Sequence, residues 1–423
     1  MIAGKLYFCY TIPTLTLFMD QKIINSSQNQ IKNDFKARLP WLILFLSGVI
    51  LASFIIWLSF AKPREKKEEK IETPTVVIEP EEKKEEIVET PKKVFIPGPF
   101  SMETIKKKGC IGDGMLSGYG DNEKEMIELI KRSNCRYIHR ALETWMEPPD
   151  FEKAAEIMAE FEDRPGMVFG MFIAEAIDRS ERLEIEETGE KFNFSKMCRA
   201  NSEDIWGFHS CQPSFEKPEY KEYLKYATEK AMDIGIQSFL FGQIYYQNKK
   251  PLSDSELPGV IKDMRRYAKK KGLQIIIGAQ TNSITDENYL NLFDYIEGGV
   301  GIDSAGNIEN GPCWSGKSSC WALLWHDQFR SRAKNVLLHL DWSGIKNDDM
   351  SKFALMDQAG RINTLDRLYT NFTSQNMGFL MPFLAPLYKD NGGCHGPKKR
   401  FYSPDNRYKC PDEDAINKIL SRG

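Results

Sequence analysis

NVLLHLDWSG, residues Asn335–Gly344, starts as an apolar run of the kind a parallel strand shows when both its faces are covered. It ends differently, with His339, Asp341 and Trp342 arriving where the strand should meet a loop. Side chains alternate faces along a strand, so Leu337, His339 and Asp341 share one side. An inward face that turns polar at its C-terminal end is the pattern of the open mouth of a parallel barrel. The pattern predicts that other strands of the chain end the same way.

Outward from this stretch, short apolar runs predict strands at Cys110–Leu116, Cys135–Leu142, Met167–Ala174, Gln237–Ile244, Leu273–Gln280, Tyr295–Ile302, Val336–Trp342 and Met377–Ala385. Amphipathic stretches between them predict helices at Glu123–Arg132, Phe151–Phe161, Glu219–Ile234, Leu257–Lys271, Asp286–Phe293, Ala322–Ala333 and Lys352–Ser374, with Asp412–Leu420 closing the chain. Asp254-Ser-Glu-Leu and Ser351 are expected N-terminal caps, and Pro218 and Pro411 fit first helical turns. The alternation predicts an α/β chain folded as a (β/α)8 TIM barrel over residues 100–423. An open doubly wound sheet is the rival, but Cys110-Ile-Gly-Asp-Gly-Met supplies glycines without the GxGxxG phosphate loop that fold uses.

The 423 residues are 41% hydrophobic and 28% charged with a net charge of −3, so no basic excess points to nucleic acid. These averages conceal a different N-terminal region. After a short tail over residues 1–40, the uncharged run Trp41–Ala61 is long enough as a helix to cross a bilayer, with Trp41 and Trp57 near its ends. No convincing small-residue cleavage motif follows it, so an uncleaved signal anchor is expected. Met19 begins an ordinary cytoplasmic tail and is an alternative start. Residues 62–99 form a Lys/Glu/Pro linker in which EKKEEKIETP recurs as EKKEEIVETP, an extended spacer suited to crossing a cell-envelope layer.

Lysines and arginines flank the apolar run almost evenly, so cysteines decide its orientation. Cys9 precedes the run. The others fall in local pairs: Cys110 with Cys135, Cys198 with Cys211, Cys313 with Cys320, and Cys394 with Cys410. Such pairing predicts four disulfides and an extracytoplasmic domain. The first pair sits at the starts of adjacent strands; the rest fall in long connections on the C-terminal face.

The strand ends carry the candidate chemistry. They are Asp113; His139, Arg140 and Glu143, then Trp145; Glu175; Gln243 and Tyr245; Gln280 and Asn282; Glu297; and His339, Asp341 and Trp342. Carboxylates, amides and aromatics around one concave mouth suit carbohydrate. Glycosidic cleavage needs one carboxylic acid to protonate the leaving oxygen and a second carboxylate as nucleophile or base. Aromatic faces stack on sugar rings, and amides hold hydroxyls. Asp341 and Glu175 are the expected acid pair with Glu143 in reserve; each of these acids also has a purely structural reading as a hydrogen-bonded or ion-paired side chain. For His139 and His339 the reading as satisfied core histidines is the usual one for a lone histidine, with a direct chemical role the lesser alternative. No cofactor or metal is expected, because the five histidines include no His-x-His and no HExxH, Walker or GxSxG motif occurs.

Over roughly residues 100–423 the chain resembles the glycoside-hydrolase type of TIM barrel, in the LLHLDW ending and the FLFGQ strand. The resemblance implies a carbohydrate polymer as partner and hydrolysis of its O-glycosyl bonds. Many such barrels carry an essential acid at the end of strand four, where this chain has Gln243. The acids must therefore come from other strands, or the barrel binds sugar without cutting it.

Overall fold

The computed structural model describes residues 93–423, apart from 120–122, 186–187, 283, 310–331, 345 and 389–392. Its centre is a ring of parallel strands: β1 Gly109–Gly112, β2 Tyr137–Glu143, β3 Val168–Ile173, β4 Ser238–Phe241, β5 Ile276–Ala279, β6 Tyr295–Gly299 and β7 Val336–His339. The last strand, β8, comes in two pieces, Gly378–Phe379 and Met381–Pro386. Each strand pairs with the next in sequence. The first piece of β8 lies beside β7, with Gly378 opposite Leu337, and the second lies beside β1, with Met381 opposite Cys110. Leu380 is the seam, its N–H donating to the Leu338 carbonyl at 2.8 Å. The ring is an α/β barrel whose parallel strands have no free edge.

Helices cover the ring. α1 Met102–Lys108 leads into β1, and the connections carry α2 Glu123–Arg132, α3 Phe151–Ala159, α4 Pro218–Asp233, α5 Leu257–Lys271, α6 Glu287–Leu290, α7 Asp349–Leu355 and α8 Gln358–Thr373, with α9 Glu413–Leu420 after β8. Every residue of β1, β3, β4, β5, β6 and β7 is buried, as expected for strands with a packed interior on one side and helices on the other. Pro218 opens α4 at its first turn, and Gly272, at φ 67°, ends α5 in the left-handed conformation glycine tolerates.

Local chemistry moves some boundaries. The single helix expected at Lys352–Ser374 is two, because the Asp357 side chain accepts from Gly360 N and starts a new helix. Ser351 is inside α7 rather than at its cap; Asp348 takes that role by accepting from Ser351 N. Asp254 belongs to a separate 3-10 turn, and Ser255 Oγ receives Leu257 N at 3.1 Å instead. Pro411 stands outside α9, before Asp412. The helix expected at Ala322–Ala333 falls, up to residue 331, outside the described residues. Phe95, from the end of the expected linker, is buried edge-on against Phe169, so the domain begins before residue 100.

Three of the four expected disulfides form: Cys110–Cys135, Cys198–Cys211 and Cys394–Cys410. The fourth expected pair differs from these. Cys313 and Cys320 both fall within residues 310–331, outside the described residues, so a bridge between Cys313 and Cys320 stays an expectation from their spacing alone. The apolar run 41–61 also lies outside the described residues, among which no helix is long and apolar enough to cross a membrane. Cys110–Cys135 closes a 25-residue separation across β1 and β2. Replacing both cysteines by alanine is expected to lower stability by about 3 kcal/mol through the entropy returned to the unfolded chain. Urea unfolding of the double variant against wild type under oxidising conditions measures this, and an unchanged midpoint would refute it.

Candidate active site at the C-terminal end of the strands

A β-bulge in β2 builds the first part of the site. The register with β3 shifts between Ile138 and Leu142, and Arg140 sits at φ 56°. Regular alternation would send His139 and Arg140 to opposite faces, but the extra residue re-aims the arginine so that both serve the barrel mouth. Arg140 Nε lies 3.0 Å from Asp113 Oδ1 and 3.1 Å from Glu143 Oε1. Its guanidinium stacks 3.7 Å from the Phe172 ring centroid and 4.8 Å from that of Trp342. Burial pushes the Glu143 carboxyl well above its ordinary range; Arg140 opposes this, and a hydrogen bond with Asp113 reinforces it. Glu143 and Asp113 are thus two acids crowded on one cation.

Below them, in the barrel interior, Glu297 of β6 is fully buried between two histidines. His139 Nε2 is 3.2 Å and His339 Nε2 2.8 Å from the same Glu297 Oε1. Burial alone would raise this carboxyl, but the two imidazoles outweigh it and hold Glu297 well below the usual range. Burial works against charge on His339, yet Glu297 holds its proton and raises it above an ordinary histidine. His139, where burial dominates, is lowered.

The two expected acids stand on opposite sides of the ring, just after β3 and β7. Glu175 Oε1 accepts from the Gln243 amide; Oε2 is buried with no hydrogen-bond partner among the described residues. Burial raises the Glu175 carboxyl, offset by its own backbone N–H and by Gln243. Asp341 likewise keeps Oδ2 buried and unpartnered among the described residues. Burial lifts it well above the usual range against the pull of His339. Tyr245, whose hydroxyl donates to Gln243 Oε1 at 2.9 Å, is within electrostatic reach of both acids. Two glycines make room: a Cβ on Gly242 would lie 2.3 Å from Glu175 Oε2, and one on Gly299 2.7 Å from Asp341 Cβ.

The strand-end residues named from sequence therefore separate into groups. Glu175, Gln243 and Tyr245 come together at the mouth, with Asp341 within electrostatic reach of Tyr245. Gln280 joins them, its Oε1 receiving Gln243 N at 3.1 Å, and Asn282 Oδ1 is buried without a partner among the described residues. Asp113, Arg140 and Glu143 form the ion cluster with Trp342 over it. His139, His339 and Glu297 are enclosed and meet one another through Glu297 Oε1, while Glu297 Oε2 is buried without a hydrogen-bond partner among the described residues. Trp145 contacts Trp206 at 6.1 Å between ring centroids, and Trp206 contacts Tyr246 at 5.6 Å. This makes an aromatic rim of residues that the sequence placed at the strand ends or in the upper loops.

Other functional positions carried no such signal. Tyr137 Oη bonds His139 Nδ1 at 2.5 Å and Ser238 Oγ at 2.9 Å, and Ser238 reaches Tyr295 Oη at 3.2 Å. Tyr137 and Tyr295 stand two residues before His139 and Glu297, and period-two alternation could have found them as the next layer down. Asp349, buried, receives Gly301 N, Ile302 N and Asp341 N at 2.8, 2.9 and 3.2 Å and so ties the loops after β6 and β7 together. No group of three or more His, Cys, Asp or Glu among the described residues could hold a metal ion.

No family model and no curated protein matches the chain. Its fold is similar to solved structures of glycoside hydrolases. A GH113 beta-1,4-mannanase is 12% identical, with 75% of this chain and 99% of that one covered at a TM-score of 0.42. A cyclic alpha-maltosyl-(1→6)-maltose hydrolase from Arthrobacter globiformis is 12% identical, covering 78% and 80% at 0.42. An alpha-amylase from Malbranchea cinnamomea is 10% identical, covering 78% and 74% at 0.41. Likeness this remote says nothing of substrate or reaction, which rest on the residues above.

Proposed function

We propose that the protein is a membrane-anchored, extracytoplasmic glycoside hydrolase on a (β/α)8 barrel, cutting a polysaccharide by carboxylate acid–base chemistry. One observation carries the reading: Glu175 and Asp341, from opposite sides of the ring, each keep a buried oxygen without a partner among the described residues, and both lie within electrostatic reach of Tyr245. Buried polar atoms are rarely left unmatched unless something else is to meet them. Asp341, lifted further by burial, is the proton donor to the leaving oxygen. Glu175, whose ionised form is favoured by the Gln243 amide and its own backbone N–H, is the nucleophile or base. Trp145, Trp206 and Tyr246 offer ring faces for the polymer on either side of the cut. The disulfides, the apolar run 41–61 and the charged spacer support an anchor with the barrel outside the cytoplasm.

A pH profile follows from these directions. Glu175 works ionised and gains that form only as pH rises through its raised pKa. Asp341 works protonated and loses that form as pH rises through its own raised pKa. The kcat/KM profile is therefore a bell whose acid limb lies above about pH 4.3, where an ordinary glutamate titrates. Full activity persisting below that pH would contradict the assignment.

Gln243 supports a second reading. It stands where many such barrels place an acid, and it occupies one oxygen of Glu175, which suits a protein that binds carbohydrate without cutting it. A glycan array followed by a reducing-sugar assay on each bound glycan separates the two. Release of new reducing ends supports hydrolysis; binding without release supports the second reading.

A further inference from the structure

The buried contacts beneath the mouth, together with the charges around them, favour one arrangement of protons, and it makes two similar histidines unlike. His339 Nδ1 lies 2.9 Å from the Leu340 carbonyl, which can only accept, so Nδ1 carries a hydrogen. His339 Nε2 faces Glu297 Oε1 at 2.8 Å, and the same oxygen already meets His139 Nε2 at 3.2 Å. A proton must lie between His339 Nε2 and this oxygen, and because the two imidazoles hold Glu297 well below the usual carboxylate range while Glu297 raises His339, that proton belongs to His339 and Glu297 is a carboxylate. His339, with hydrogens on both nitrogens, is an imidazolium.

His139 differs because of what lies on its far side. Tyr137 Oη, at 2.5 Å, has one proton to give, and Ser238 Oγ and Tyr295 Oη continue the line. Donation running from Tyr295 to Ser238, to Tyr137, to His139 Nδ1 and out through Nε2–H to Glu297 satisfies every hydroxyl. It requires His139 to accept at Nδ1, and therefore to be neutral. The line ends on Glu297 from one side and the His339 cation closes it from the other.

We infer that Glu297 is a positioning residue that keeps His339 doubly protonated directly under Asp341, and thereby fixes how tightly Asp341 holds its proton. The inference takes Asp341 as the acid proposed above. Asp341 follows His339 by two residues on the same face of β7 and its continuation, and each feels the other's charge. The other charged groups around Asp341 are Asp348 and Asp349 from α7 and Glu297 from β6; around Glu297 and the histidines they are Arg140 from β2, with Glu175 facing from β3. Trp342 covers the His339 ring at 4.5 Å between centroids and, with the barrel core, keeps water away from it. In such surroundings an adjacent cation lowers a carboxyl's pKa by about one to three units.

The test needs no substrate. The full chain is labelled with 15N-histidine and 13Cγ-aspartate, and signals are assigned with His339→Gln and Asp341→Asn. In the wild type the His339 nitrogens are expected to read as imidazolium at about pH 8, where an ordinary histidine is neutral. In Glu297→Gln that signal is expected to become neutral. The Asp341 titration midpoint then rises by about one unit, because His339 acts on Asp341 more strongly than Glu297 does. His339→Gln, which removes the cation and leaves Glu297 with His139, is expected to raise the midpoint too, and stands in if Glu297→Gln does not fold. A neutral His339 in the wild type, or an Asp341 midpoint unmoved in the folded variants, overturns the inference. A failure of the glycosidase reading is seen separately, as no release of reducing ends with these spectra as expected.

Discussion

Asp341→Asn and Glu175→Gln each lower kcat on a cleaved glycan by about 10²–10⁴-fold, with the fold intact. The fold is expected to survive because each amide keeps the shape of the side chain it replaces and, at Glu175, can still accept from Gln243. Each is buried with an oxygen unpartnered among the described residues, and burial raises both pKa values above the unfolded-chain range. The linkage has a definite sign. An acid with a raised folded pKa binds its proton more tightly in the native state, so stability falls as pH climbs from the unfolded pKa to the folded one. An amide cannot ionise and escapes that penalty, so both variants are expected to melt no lower than wild type at about pH 7, and Asp341→Asn higher. Reducing-sugar assays with thermal melts across pH check this. Unchanged turnover in both variants would remove the pair from the mechanism, and Glu143 would become the acid to test.

Arg140→Ala is expected to be the most destabilising single change in the site, by about 3–5 kcal/mol, because it strips a buried cation from Asp113 and Glu143. It also takes the filling from between Phe172 and Trp342. Lysine should not restore it. A point charge on a flexible stem cannot bond two carboxylates through one planar group while stacking between two rings. The deficit should narrow as pH falls, since protonating the stranded carboxyls removes the unpaired charge. Urea unfolding at about pH 7 and about pH 5 gives the comparison, and a loss equal at both would mean that packing, not charge, dominates.

How much of this was legible before the structure depends on the kind of signal. Strand and helix periods are carried by many residues at once, so the alternation survives to the barrel, and α2 and α5 match their expected bounds. The break between α7 and α8 was hidden because Met356-Asp357-Gln358 contains neither proline nor glycine; only Asp357 turning its carboxylate onto Gly360 N reveals it. The strands end earlier than their apolar runs suggest because the chain turns to aim side chains: Gln243 leaves the ladder after β4 at φ 28°. The bulge at Arg140 shows in YIHRALE only as the like pairs His139-Arg140 and Ala141-Leu142, which break the alternation without a proline or glycine to mark a bulge. Gln243 was read as a missing acid. In three dimensions it is the amide that grips Glu175, a relation between neighbouring strands far apart in sequence that no local spacing contains.

The two-piece last strand has a consequence for how the molecule comes into being. Its first piece lies against β7 and its second against β1, where Met381 meets Cys110. A chain delivered N-terminus first therefore holds bare edges on β1 and β7 until Gly378–Pro386 emerges, and the mouth takes its shape only after that moment. Closure is a late, single event with long-range partners, the slow kind. A chain cut short before Gly378 is not a smaller enzyme; it is a curved sheet with two sticky sides.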